Sequence, residues 1–470
     1  MKKYLLYITV ITFAATACNK QLDLRPSDYI DPKGAYQSVE DVNQGLLGAY
    51  SALNYYSSIR YTSLITDENM LPSENSTGSG FATHRWQYDG SFLHDAWKDN
   101  YIAIDRLNRA LSASYRVAVK PSEHEALAQY RGELLALRAY CHLELVRNFA
   151  EKYEPAAMGV PYMDSSFIGK PARLSFAETM GRINEDLAAA KGMIPAGFDD
   201  RTRINKAAVA ALQARVALYE KNWDNAITYA TEAIGALPLA NRTQFPQIWK
   251  DNSTAEVFWK LKRVTGDEEI GNFYTQAGFL DNPAGRRLYY AASYKLTNLF
   301  DKTNDIRFSS YIKIDAGRQA AGNVPNAVVK YIAANAASNL VDIKLLRTGE
   351  MYLIRAEAYA EKDQPGLAAN DLNSLRAARI AGYTPQTFAD KAAIIAAVYN
   401  ERFKELAFEG HRHFDLRRRN LNISRNPQDA VNALGAVLLT PNDPEYVFPI
   451  PNSELRANPN MKQNPGYVNK

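Results

Sequence analysis

Cysteine is nearly absent: Cys18 and Cys141 are the only two in 470 residues. With Cys18 engaged elsewhere no disulfide can form, and a chain of this length can bury a sufficient core without one. A dominant sign of charge is also missing. Lysine and arginine number 55 against 51 aspartate and glutamate, a net +4, which is too little for the concentrated basic face that nucleic-acid binding needs. Past the first residues, no apolar run reaches the length that crosses a bilayer as a helix. No P-loop, zinc-ligand spacing, dinucleotide fingerprint or nucleophile motif occurs, so the chain reads as a non-enzyme, with no catalytic residue, metal or cofactor expected. Disorder as the main state is excluded by 46% hydrophobic and 23% charged residues.

What is present begins at the N-terminus. Lys2 and Lys3 precede the apolar stretch Tyr4 to Ala14, and the small residues Ala15, Thr16 and Ala17 lead to Cys18. This is the arrangement of a lipoprotein signal peptide over 1–17, although Ala15 stands where leucine is commoner. Cys18 is then the lipidation site, and 18–34 a polar tether. Acyl chains contribute about 0.8 kcal/mol per buried methylene, so several would hold the protein to a membrane. Cys141 falls in an apolar helical pattern and reads as a small buried side chain.

The remaining residues, 35–470, read as one mainly α domain. Helical spacing runs from Tyr36 to Leu53, from Trp97 to Leu111, from Glu123 to Ala150 and from Ser175 to Ile194. The clearest unit is 205–237. Val209, Leu212, Val216 and Tyr219 form one stripe, Lys221-Asn222 breaks it, and Ala226, Ala230, Ala233 and Leu237 form the next. Two helices, a short turn and small residues at their approach match a tetratricopeptide-like pair, and 342–380 repeats the pattern. Tyr294 to Arg307 also reads as a helix with a charged turn, Glu256 to Trp259 as a short strand, and 328–345 as strand and loop. Two segments, 61–95 and 264–293, show no sustained period yet are rich in aromatic residues. Long irregular segments in compact proteins are usually functional or disordered, and the aromatics favour function.

The densest stretch is Glu401 to Arg419, ERFKELAFEGHRHFDLRRR. Its carboxylates Glu401, Glu405 and Glu409 recur every fourth residue, which sets them along one helical flank. Gly410 is placed to end that helix in a left-handed turn. His411 and His413 lie two apart rather than four, so they do not share a helical face as metal-binding histidines do. The stretch therefore reads as a buried ion-pair network, with Arg138 and Arg147 as the expected partners of Glu405 and Glu409.

The wording ELAFEGHRHFDLRR closely resembles the C-terminal signature of the SusD/RagB family. Phe448-Pro449-Ile450-Pro451 through Gln463-Asn464-Pro465-Gly466-Tyr467 resembles that family's closing motif. The helix ending before Gly159-Val160-Pro161, the helix at 36–53 and the pair at 342–380 are similar as well. The resemblance implies a SusD-like fold: tetratricopeptide-like helix pairs as scaffold, packed against a loop-rich ligand-binding half. It implies an outer-membrane lipoprotein facing the exterior and a SusC-like TonB-dependent transporter as partner. The implied ligand is an oligosaccharide, with peptide as the alternative ligand.

A sugar ring offers an apolar face and a girdle of hydroxyls, so it asks for flat aromatics and a few fixed polar groups. Trp86 and Tyr88 from the first irregular segment, and Tyr274, Tyr289 and Tyr290 from the second, are the expected stacking residues. Asp67 is the expected hydroxyl acceptor, with Asn69 and Arg287 as further polar candidates. Trp97 and Trp249 are assigned to the core. Two other classes stay open: a glycosidase, which needs two carboxylates facing one cleft, and a tetratricopeptide adaptor whose only ligand is protein.

Overall fold

The computed structural model describes residues 34–92, 94–335 and 338–467. The expected signal peptide, the Cys18 lipidation site and nearly all of the tether lie outside the described residues.

The fold is mainly helical. Its helices of seven residues or more, among the described residues and in chain order, are α1 (Val39–Ala52), α2 (Tyr56–Ile65), α3 (Ala96–Ser114), α4 (His124–Phe149), α5 (Phe176–Met193), α6 (Lys206–Glu220) and α7 (Trp223–Ala236). They continue with α8 (Thr348–Glu361), α9 (Pro365–Arg379), α10 (Lys391–Glu405) and α11 (Arg412–Arg418). Several begin where the side chains dictate. Ser38 and Asp41 form a capping box on α1, Ser175 and Glu178 form one on α5, and Asn205 caps α6. The expected stripe of α1 is buried as Val39, Val42, Leu46 and Ala49.

Helices α4 to α9 stack as successive neighbours, with α7 packed on α8 and α10 closing the row. The α6–α7 turn is made by Lys221 in the left-handed region and Asn222, which caps α7. The α8–α9 turn uses Asp363 at positive φ, then Pro365 in the first turn of α9. Ion pairs cross-link the stack: Arg138 to Asp186 at 2.7 Å, Arg203 to Glu133 at 2.7 Å and Arg215 to Glu350 at 2.6 Å. One apolar cluster extends from Val39 to Tyr467 and includes Trp97 and Trp249; Cys141 is fully buried in it.

Strands are few and short among the described residues. Asn69–Met70 (β1) pairs antiparallel with Ala291–Ala292, and Val257–Leu261 pairs with Ile343–Arg347. The second pairing corrects the reading of 342–361 as one helix, because the chain is extended to Arg347 before α8 starts. The expected helix over 294–307 shrinks to Tyr294–Thr297, with a separate turn of helix at Ile306–Tyr311. Conversely, α2 runs into a segment that reads as irregular. It buries Ser57, Ser58, Thr62 and Ser63 along with Ile59, Leu64 and Ile65. Small polar residues on the inward side erase the apolar period.

The Glu401 to Arg419 stretch is a sealed ion-pair network, but its partners differ from those expected. Arg138 is engaged with Asp186, and Arg147 pairs with Glu144 and donates to the Gly410 carbonyl. Glu405 is instead held by Arg307, Arg347 and Arg379 at 2.9–3.1 Å. Glu409 receives Arg347 and Lys330, each at 2.7 Å, and Glu256 bridges Arg347 and Arg379. Gly349 allows this closeness, since a Cβ there would stand 2.5 Å from the Glu405 carboxylate.

Helix α10 ends at Glu405, four residues earlier than the Glu spacing suggests. The chain then turns with Phe408 at φ 65° and Gly410 at φ 77°. A Cβ on Gly410 would meet the Tyr55 hydroxyl at 3.1 Å. The turn offers its carbonyls outward to six donors: Tyr311 and Arg347 on Glu405, Lys330 on Ala407, Tyr331 on Phe408, Tyr55 on Glu409 and Arg147 on Gly410.

Candidate functional site: the aromatic loop face

The two irregular aromatic segments are joined into one surface. Strand β1 pairs Asn69 with Ala292 and Met70 with Ala291. Asn75 Nδ2 donates to the Tyr289 carbonyl at 2.7 Å, the Tyr290 hydroxyl to the Ser79 carbonyl at 2.7 Å, and Leu288 N–H to Glu74 at 3.1 Å. Residues more than 200 apart in sequence thus share one backbone framework.

That framework buries most of the residues expected to touch ligand. Asp67 is 1% exposed, bound by both arms of Arg412 at 2.8 Å and by Lys295 at 2.7 Å. Burial pushes its carboxyl up, but Arg412 and then Lys295 outweigh burial and hold it well below the usual carboxylate range. It joins the loop half to α11 and is closed to a sugar hydroxyl. Tyr274 is fully buried, its hydroxyl 3.2 Å from Ser63 Oγ, and Tyr290 is buried with its ring stacked on Phe273. Asn69 is likewise sealed in β1.

Two of the six expected ligand residues, Tyr289 and Trp86, reach the surface, and Tyr88 is buried, against expectation, beneath the loop. Tyr289 is half-buried at the loop edge, beside the exposed Arg287, whose guanidinium lies 3.4 Å from Ser76 Oγ. Trp86 is half-buried and sits at φ 54° after a single helical turn, Phe81–His84. Its indole N–H donates to the Ile65 carbonyl at 2.9 Å, and the Arg425 guanidinium lies 4.4 Å from the ring centre. Tyr88 is largely covered and donates to the Glu445 carbonyl. Trp86 and Tyr88 line a shallow depression of about 480 Å³ together with Gln87, Asp89, Phe92 and Glu445.

Arg425 organises this face and was not indicated by the sequence. It donates to the carbonyls of Leu64, Ile65, Thr66, His84 and Ala436, and burial lowers its guanidinium to about 9. Phe81 and Arg85 also add to the face, the guanidinium 4.8 Å from the ring centre. Phe81 was visible as an aromatic within an irregular segment. Arg425 and Glu445 carry no such signal, because only tertiary folding brings them here.

The histidines of the ion-pair stretch offer no metal site. His411 and His413 are buried, and burial together with nearby arginines pushes both imidazoles well below their ordinary value. The carboxylates Glu401, Glu405 and Glu409 are each matched by cations and sealed from solvent, so no two of them face a cleft. A separate, larger hollow of about 920 Å³ lies between α3 and the C-terminal turn of helix at Asn452–Ala457, lined by none of the expected ligand residues.

Comparison with known proteins agrees with this architecture. The SusD family profile matches residues 289–467, and a profile described as starch-binding associating with outer membrane matches residues 22–218. Two SusD-like proteins of Formosa agariphila are 24% and 22% identical, the first over 98% of this chain and 97% of its own length, the second over 96% of each. Among solved structures, a putative sugar binding protein from Bacteroides vulgatus superposes with a TM-score of 0.77 at 25% identity, covering 92% of this chain and all of the other. A laminarin binding SusD-like protein superposes at 0.72 with 19% identity over 92% of this chain and 100% of its own, a likeness of fold.

Proposed function

The chain belongs to the SusD/RagB family, and from that premise we propose that it is a lipid-anchored outer-membrane protein that captures oligosaccharides and passes them to a SusC-like TonB-dependent transporter. The family is one of carbohydrate-binding, outer-membrane-associated proteins. Anchoring through Cys18, an outward orientation and the transporter partner are inferred from the sequence. The observation that carries the reading is the joining of two aromatic segments into one face by the β1 pairing. On that face, Tyr289 and Trp86 supply flat rings, and Tyr88 closes the depression. Arg85, Gln87 and Arg287 supply the polar groups that orient hydroxyls. The role is binding rather than hydrolysis.

The test is retardation of the soluble protein in native gels containing a panel of polysaccharides, with Tyr289→Ala and Trp86→Phe alongside. Retardation by one glycan, weakened in both variants, supports the reading. A glycan whose retardation survives both variants places the site elsewhere. The Phe substitution is preferred to alanine because Trp86 also packs under Arg425.

A further inference from the structure

Two adjoining hollows, of about 460 and 80 Å³, open where the α6–α7 turn meets the end of α11. Tyr153, Lys221, Arg418 and Asn420 line both, so the two form one cleft, and no residue of the aromatic face lines it. Its basic side chains are Lys152, Lys221, Arg417, Arg418 and Arg419, against the carboxylates Glu151, Glu154 and Glu361. Even when Glu357 is added, which accepts from Arg418 at 2.9 Å, cations outnumber carboxylates.

Ion pairing leaves part of that charge unmatched. Glu361 takes Arg419 and Lys391, while Glu357 and Asp415 take Arg418. Lys221 and Arg417 pair with no carboxylate among the described residues. Arg417 instead donates to the Arg147 and Ala150 carbonyls at 2.8 and 2.7 Å. It is buried with Tyr153 and Tyr219, its guanidinium 4.6 Å from the Tyr153 ring centre. Water screens a charge weakly there, so its field extends further. Of the lining residues, Lys221 and Asn420 are exposed, the Arg419 side chain is 27% exposed and Trp223 is half-buried. These are the side chains a ligand can meet.

Lys221 holds a costly position. It ends α6 at φ 56°, in the left-handed region where glycine is the usual residue. A side chain there costs about 1 kcal/mol. The helix dipole returns part of that to a cation, yet this lysine is also the exposed cation common to both hollows. The lining thus joins an indole ring, which suits the apolar face of a sugar, to donors that suit anionic oxygens.

We infer that this cleft binds an acidic sugar, a uronate or a sulfate ester, whose anionic group accepts from Lys221 Nζ and Arg419. The inference concerns a second site and does not rest on glycan capture at the aromatic face.

The experiment is titration calorimetry of the full chain in neutral detergent with D-glucuronate, a D-glucose sulfate ester, D-glucose and inorganic sulfate. The expected result is saturable binding of at least one acidic sugar, with D-glucose and inorganic sulfate about tenfold weaker or more. Lys221→Gly should weaken that binding about tenfold or more while the melting temperature holds or rises, since glycine relieves the left-handed turn. Lys221→Gln, which keeps a side chain at the turn, should show the same loss, and Tyr289→Ala none. Binding of D-glucuronate alone assigns a carboxylate, and binding of the sulfate ester alone a sulfate. The inference is overturned if neither acidic sugar binds at millimolar concentration, or if D-glucose or inorganic sulfate matches them. It is equally overturned if binding survives both Lys221 variants.

Discussion

The helical stack and the aromatic face are held together in different ways. In the stack and in the network around Glu405, side-chain charges mostly meet charges: Arg307, Arg347 and Arg379 converge on Glu256, Glu401 and Glu405, all 2% exposed or less. On the aromatic face, side chains mostly hold backbone. Arg425 serves five carbonyls, Asn75 one, and the Trp86 indole one. Charge-to-charge contacts fix particular residue pairs, whereas backbone contacts fix a loop's path and leave its outer side chains free to differ.

The contrast is broken most forcefully at Arg347. Arg347→Ala strips a partner from Glu256, Glu405 and Glu409 at once, and leaving buried charges uncompensated costs about 3–5 kcal/mol. Urea denaturation should show that loss, together with lower expression. Next comes Arg425→Lys, which keeps the charge but removes the planar fork. A loss of about 1–3 kcal/mol is expected from unmade bonds to buried carbonyls. Glycan binding should fall further than stability does, because the Trp86 platform moves with it. If stability and binding fell in step, the two regions would not be separable.

Glu68 sharpens the comparison, since it lies where the regions meet. It accepts the Phe408 N–H at 2.6 Å and the Ser63 hydroxyl at 2.7 Å, and burial pushes its carboxyl up to about 7 against those bonds. A raised folded value means that its contribution to stability is fully present below about 4.5, the unfolded value, and is lost as pH rises through 7. Glu68→Gln should therefore match the parent near pH 4.5 and exceed it at pH 8 by on the order of 1–3 kcal/mol. Melting curves at the two pH values check this, and equal differences at both would rule it out. The smallest effect on stability is expected for Tyr289→Ala, about 1 kcal/mol because its ring is only half-buried against the core, while glycan binding weakens about tenfold.

Much of the scaffold was legible because its periods are clean, as in Val39, Val42, Leu46 and Ala49, or in Val209, Leu212, Val216 and Tyr219. Helix α2 was not, because buried serines and threonine interrupt the apolar count. The loop face was legible as a pair of segments but poorly as residues. Asp67 reads as a free acceptor until Arg412, 345 positions later, is found clasping it. Tyr274, Tyr289 and Tyr290 look alike in sequence, yet the first and last turn inward and only Tyr289 keeps a surface. Arg138 and Arg147 were matched to the wrong carboxylates for the same reason: charge complementarity is visible in a sequence, but its geometry is not.

The turn after α10 has a consequence for the order in which the molecule can form. Its six donors, from Tyr55, Arg147, Tyr311, Lys330, Tyr331 and Arg347, are made before the turn, and their acceptors arrive only with residues 405–410. A chain that has not yet reached residue 410 leaves them unmatched. Contacts of such long sequence separation form late. A chain cut before residue 400 would hold the donors with nothing to receive them, so the arrival of residues 405–410 sets the earliest moment at which both halves can become one cooperative body.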